Sequence, residues 1–268
     1  YISDPELRIS QEILLGIGGM RALKCLGYDP SIYHMNEGHS AFLSLERLRQ
    51  LMTEGKTLEE AKIIVSASNI FTTHTPVPAG NDEFPIWLID KYFSHYWGEL
   101  GLDREGFLNL AKVKTDWADE VFSMPVLALR LSDYRNGVSK LHGEVSRGMW
   151  QGLWKGSDLK DIPITSVTNG VHTGTWLARR IAELYNRVLG PDWLNRIDDP
   201  DLWDGIEKID DAELWRIRFH LKRKLVNYMV NRARYRWEHD DVHPVQTVAS
   251  GVLLEPSALT IGFARRFA

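Results

Sequence analysis

Phe71-Thr72-Thr73-His74-Thr75-Pro76-Val77-Pro78-Ala79-Gly80 follows the β-branched, helix-like run Ala61 to Val65 and gives way to Asn81 and Asp82. Apolar, β-branched residues that run into proline and glycine read as the end of a strand turning into a loop. His74 then stands at a strand's exit. In an open parallel sheet, ligands bind in the crevice beyond the strand C-termini. A ring nitrogen placed there, among hydroxyls and a proline-stiffened backbone, can reach a polar substrate. The plainer reading is a ring satisfied by neighbouring threonine hydroxyls. Recurrence of the pattern elsewhere in the chain tips the balance toward the first.

Working outward, Ser31 to Asn36 is a short extended run, Gly38 a break, and Ala41 to Met52 strongly amphipathic. This is strand, turn and helix, with Asn36, Glu37 and His39 in the turn, where α/β folds present functional groups. Pro125 to Leu131 reads as an apolar strand, followed by a loop from Ser132 into a helix that carries His142. Ile162 to Asn169 reads as another strand, closing on Asn169-Gly170, with His172, Thr173 and Trp176 in the loop that enters the next helix. Four polar turns after four strand-like runs predict an α/β fold, a doubly wound domain with its polar turns on one rim. Upstream, Asp4-Pro5 starts a helix that runs to Gly27, interrupted by Gly16 to Gly19. Those glycines follow a helix rather than a strand, which argues against a phosphate cradle.

Residues 81 to 122 are helical and aromatic in pattern, with Trp87, Tyr92, Phe93, Tyr96, Trp97 and Trp117 assigned to core or interface. Beyond Trp176 the pattern is helical. Asp210 to Glu213 resembles a capping box opening a long helix with Leu214, Ile217, Leu221, Leu225 and Met229 as its apolar stripe. Pro256 to Ala264 reads as a new strand, ending in Arg265 and Arg266. The organisation expected is one α/β domain over residues 1–175, then a helical connection and the first strand of a second domain over residues 176–268.

Totals narrow the function classes. The chain has 268 residues, 44% hydrophobic and 25% charged, with a formal net charge of −4. That is ordinary globular composition without a global attraction for nucleic acid or anionic lipid. The basic residues Arg216, Lys222, Arg223, Arg232, Arg234 and Arg236 read as a solvated helix face, since no base-stacking surface accompanies them. Cys25 is the single cysteine, so neither an internal disulfide nor a cysteine-based zinc site is expected. His34, Glu37 and His39 are spaced so that they do not share a helix face, and no metal is assigned. No apolar run approaches the ~18 residues of a membrane span; a soluble, cytoplasmic protein is expected. Both ends look like cuts through a longer chain.

Four motifs taken together resemble the α-glucan (glycogen, starch or maltodextrin) phosphorylases, in their shorter bacterial and archaeal branch. They are Tyr33 to Phe42, Phe71 to Val77, Asn136 to His142 and Val167 to His172, and the final Gly262 to Phe267 looks like that family's first C-terminal-domain strand. The resemblance implies a two-domain, GT-B type glycosyltransferase with Rossmann-like domains, which transfers a terminal glucosyl unit of an α-1,4-glucan to phosphate. It also implies pyridoxal phosphate as cofactor, with the attachment lysine outside this segment. On this resemblance His74 contacts the transferred glucose, Asn169 hydrogen-bonds the same sugar, and Glu37 and His39 line the sugar site. Trp176 stands beside the cofactor, and Arg265 and Arg266 form a basic pair at the phosphates. Partners would be the glucan and phosphate, with a homo-oligomer left open. His172-Thr173-Gly174-Thr175 departs from the animal-type pattern. Two alternatives stay open: a nucleotide-sugar glucosyltransferase of the same architecture, and a non-catalytic glucan-binding module stacking sugars on Trp87, Trp97, Trp150 and Trp154.

Overall fold

Asp4 caps the first helix as the sequence requires: its carboxylate accepts the Glu6 N–H at 2.9 Å and Pro5 takes the first helical position. In the computed structural model, which describes residues 4–77, 80–114, 120–239 and 254–262, the chain divides into two units, Tyr1–Asn169 and Gly170–Ala268. Helix α1 (Pro5–Ile13) passes through a π-helical turn (Leu14–Gly18) into α2 (Gly19–Cys25), so the glycine run widens the helix without breaking it. A Cβ on Gly16 would stand 2.7 Å from the backbone nitrogen of Leu43. The glycine is there for close helix packing.

The first unit continues through β1 (Tyr33–Asn36), α3 (Phe42–Thr53), α4 (Leu58–Ser68) and β2 (Asn69–Thr73). Then come β3 (Glu83–Pro85), α5 (Ile86–Phe93), α6 (Arg104–Leu108), β4 (Lys112–Val113), β5 (Val121–Ser123) and α7 (Met124–Arg130). It closes with β6 (Tyr134–Gly137), α8 (Lys140–Trp150) and β7 (Thr165–Ser166). Strands β1, β2, β6 and β7 form a parallel sheet in that order, with Asn36, Thr72, Asn136 and Thr165 in register. All four strands therefore end on one edge.

Three expectations are corrected here. Pro125 to Leu131 is not a strand: Met124 to Leu129 are buried throughout α7, and a helix buried on every side shows no periodicity to separate it from a buried strand. Pro125 at its first turn was the available signal. The strand of that region is β6, where the sequence suggested a loop. Residues 81–122 are not all helical either, because β3, β5 and β4 form a small antiparallel sheet.

The core of this unit is aromatic. Phe42, Phe93, Phe107 and Phe122 are almost fully buried and pack in a ring with centroid distances of 4.9, 5.3, 5.9 and 6.3 Å. Each such pair adds about 0.5–1.5 kcal/mol beyond area burial. Two buried polar groups tie the layers. Asn69 takes a hydrogen bond from Arg47 at 2.5 Å and donates to Ser44 Oγ at 3.0 Å and to the Leu131 carbonyl at 2.8 Å. Burial alone would raise the pKa of Glu46, yet hydrogen bonds from Arg49, Arg21, Gln50 and Tyr96 hold it at about 2.

The second unit comprises α9 (Thr173–Trp176), α10 (Arg179–Val188), α11 (Pro200–Trp203) and the 29-residue α12 (Asp211–His239). Tyr185, Trp193 and Trp203 make its small core, ring to edge. Half of the expected capping box is present, the Glu213 N–H donating to Asp210 at 2.8 Å. The expected stripe is corrected: Ile217 and Leu221 are half-buried but Leu214, Leu225 and Met229 are exposed, and the buried residues among the described side chains of α12 are Val226 and Ala233. Apolar spacing marks a face, and among the described residues of this unit nothing covers most of it. Residues 254–262 contain a turn but no strand, contrary to expectation; the rest of that segment lies outside the described residues. No described helix is long and apolar enough to cross a membrane.

Candidate active site

Parallel strands deliver their following turns to a common rim. Beneath it runs a polar ladder across three strands: His34 Nε2 lies 2.8 Å from Thr72 Oγ1, and that hydroxyl donates to Asn136 Oδ1 at 2.9 Å. On the rim, Glu37 follows β1 in a left-handed conformation (φ 67°), the one non-glycine residue so placed among the described residues. Such a backbone costs roughly 1–3 kcal/mol and persists where its surroundings over-determine it. Here they do. The Glu37 N–H donates to the Thr72 carbonyl at 2.9 Å, and a Cβ on the next residue, Gly38, would meet Pro125 N at 3.0 Å. The Glu37 carboxylate accepts a short hydrogen bond from the His74 N–H and another from Thr75 Oγ1 at 2.9 Å.

The turns after β1 and β2 are thus clasped together, and the ring of His74 is left exposed. Asn169 reaches the same rim from β7. Val167 N–H donates to Gly137 O at 2.9 Å and Asn169 N–H to Val138 O at 3.1 Å, which leaves the Asn169 side chain exposed. At ~4.8 Å per strand, the exits of β2 and β7 lie about 10 Å apart, with the exit of β6 between them.

No family model matches this sequence. It is 42% identical over 269 residues to the maltodextrin phosphorylase of Thermococcus litoralis, an alignment that covers 100% of this chain and 31% of that protein. Glycogen phosphorylases of Mycobacterium tuberculosis and Aquifex aeolicus are 40% and 36% identical over 99% of the chain, with 32% and 38% of their own lengths matched. Along its whole length the chain is a homologue of maltodextrin and glycogen phosphorylases. It spans about a third of the length of these curated relatives.

Within this chain the structure brings Glu37, His74 and Asn169 to one rim and turns His39 elsewhere. The His39 ring points into a group of charges behind the turn, its Nδ1 2.6 Å from Asp82 Oδ2, 2.6 Å from Arg8 Nη2 and 3.8 Å from Glu12 Oε1. Arg8 pairs with both oxygens of Asp82, at 3.2 and 2.9 Å, and its Nε approaches Glu12 at 2.9 Å. The Asp82 carboxylate, hydrogen-bonded at 2.6 Å, and the Glu12 carboxylate nearby at 3.8 Å push the His39 pKa up to about 10, so the ring is an imidazolium whose Nδ1–H donates to Asp82 and crowds the Arg8 Nη2 donor. Burial would raise Asp82, but His39 and Arg8 hold it at about 2; Glu12, more deeply buried, is pushed up to about 7. The ligand atoms of Glu12, His39 and Asp82 are near enough to hold a cation. The Arg8 guanidinium already supplies the positive charge among them.

Arg8, Glu12 and Asp82 escaped the sequence reading. The one available signal was an acid at Glu12 on the same helix face as buried Ile9 and Gly16. His142 turns out to shape the β6–α8 turn. Its Nδ1 accepts the Val138 N–H at 3.2 Å, while its own N–H donates to the capping Ser139 Oγ at 3.1 Å. Trp176 lies on α9 in the second unit and is 79% exposed. Arg265, Arg266 and Trp117 fall outside the described residues. Of the four proposed sugar-stacking tryptophans, Trp150 is buried, Trp97 and Trp154 pack on the hydrophobic core, and only Trp87 is exposed.

Proposed function

We propose that the protein carrying this chain is an α-1,4-glucan phosphorylase, which transfers terminal glucosyl units to inorganic phosphate and releases glucose 1-phosphate. The observation that carries this reading is end-to-end similarity, at 36–42% identity, to maltodextrin and glycogen phosphorylases. In the proposed enzyme, a cytoplasmic protein of the GT-B type, residues 1–175 belong to a Rossmann-like, doubly wound domain on the sugar side. Residues 176–268 lead into the second domain.

Several rim features support that assignment. Sugars are recognised through hydroxyls, and Thr75 and Asn169 offer neutral polar groups along one edge. The Glu37 carboxylate fixes the His74 backbone so that its ring stands clear of the protein. His74 then contacts the transferred glucosyl unit and Asn169 binds the same sugar, while Glu37 holds the turn that carries His74. Pyridoxal phosphate needs cations at its phosphate and an attachment lysine. The rim residues just named supply neither; on the family resemblance Arg265 and Arg266 would stand at the phosphates and Trp176 beside the cofactor, with the attachment lysine outside this segment. A glucan-binding module that lacks catalysis is disfavoured, because three of its four tryptophan platforms are occupied in packing.

His74→Ala in the full-length protein should lower kcat/KM for phosphorolysis by about tenfold to a hundredfold, the scale of one or two lost transition-state contacts at roughly 1.4 kcal/mol per tenfold. Binding at remote glucan subsites should hardly change. A variant within about twofold of wild type would overturn the assignment of His74.

A further inference from the structure

The Arg8–Glu12–His39–Asp82 group lies immediately behind the strained turn at Glu37, and joins three pieces of chain far apart in sequence. Glu12 and Arg8 come from α1, His39 from the turn Gly38–Ser40, and Asp82 from the approach to β3. These are the charged groups facing Glu12. Its side chain is 2% exposed, and neither carboxylate oxygen has a hydrogen bond of good geometry. Two cations and two anions make the group neutral overall when Glu12 is ionised. Protonating Glu12 leaves a net positive charge buried between His39 and Arg8, which weakens the hold on His39.

We propose that Glu12 is a positioning residue, whose negative charge keeps the His39 imidazolium seated on Asp82 and thereby holds the Glu37–Ser40 turn in its strained, His74-clasping form. The physical link is short. Glu37 pays for its left-handed backbone through anchors on either side: the Thr72 carbonyl and the His74 N–H on the rim, and, two residues on, the His39 ring in the charged group. Loosening the second anchor lets the turn relax and frees the Glu37 carboxylate from His74. Because burial pushes Glu12 up to about 7, the anchor weakens as pH falls toward 6.

The consequence for catalysis rests on the glucan phosphorylase reading; the consequence for the turn does not. In the full-length enzyme, E12Q reproduces the protonated form at every pH. Its kcat/KM should match wild type at pH 6 within about twofold and fall about tenfold below it at pH 8. Taking the ratio of the two enzymes cancels the titration of phosphate itself. D82N removes the partner on which His39 is seated, so it should cost more at pH 8, where Glu12 is ionised and the anchor is tight, than at pH 6, where the anchor is already weakened. Restoration of the charge by E12D should recover part of the pH 8 loss. Crystal structures of wild type and E12Q at pH 8 provide a readout without turnover, with the Glu37–His74 contact kept in the first and lost in the second. If the contact changes but no glucose 1-phosphate is formed by wild type, the functional reading fails and the positioning role stands. A ratio that is flat from pH 6 to pH 8, or an unmoved turn in E12Q, overturns the role of Glu12.

Discussion

The two units bury their apolar residues to very different degrees. In the first, Phe42, Phe107 and Phe122 have no exposure and interlock; in the second, Trp215 of α12 is 73% exposed and Tyr228 59%. Both regions show apolar residues at helical spacing, yet among the described residues those of α12 are left largely uncovered while those of the first unit are covered by neighbouring elements. The difference teaches that periodicity reports a face and leaves open what lies against it.

The sharpest way to break this comparison is Phe107→Ala, which empties the middle of the aromatic ring. It should cost about 3–5 kcal/mol in urea unfolding of the first unit, followed by near-UV circular dichroism. A loss below about 1 kcal/mol would mean the ring is loosely packed.

Glu12→Gln should act next most strongly, and with a pH signature. Burial raises the folded-state pKa of Glu12 to about 7 from an ordinary value of 4.5, so its proton stabilises the fold fully below pH 4.5 and that contribution is lost as pH rises through 7. Glutamine cannot ionise. The variant should therefore gain on wild type from pH 5 to pH 8, by at most about 3 kcal/mol, less whatever Glu12 contributes to keeping His39 charged. Stability that is parallel for the two proteins across this range would count against a buried, titrating Glu12. Together with the expected loss of activity at pH 8, this would make Glu12 a residue that trades stability for placement of the turn.

Smaller effects sharpen the comparison. Thr57 and Glu60 form a complete capping box at the start of α4, so Thr57→Ala should cost about 1 kcal/mol by thermal denaturation. Trp215→Ala, a much larger deletion, should change stability of the isolated chain by no more than about 0.5 kcal/mol. If Trp215→Ala instead rivals Phe107→Ala, α12 is covered and the contrast between the units disappears.

Much of the candidate site was legible in order along the chain. Strand exits at Asn36, Thr73 and Ser166 follow from extended runs closed by glycine, proline and asparagine, and those turns carry Glu37, His74 and Asn169. The partners of His39 were not legible, because Arg8 and Asp82 stand 31 and 43 residues away from it. No local pattern relates such positions. Nor did the sequence indicate that the Glu37 carboxylate would be spent on the His74 N–H.

By itself the sequence determined what depends on near neighbours. The Asp4 and Thr57 caps, the helix stop at Gly27 with its φ of 76°, and the polar turns after the parallel strands are of this kind. Tertiary structure alone decided whether Pro125 to Leu131 became a strand or a helix, since uniform burial of Met124 to Leu129 removes the periodicity that tells them apart. It also decided which side of α12 stays uncovered and which charges meet at His39. Those outcomes depend on which distant surfaces meet, and on the cost of burying a charge without its partner.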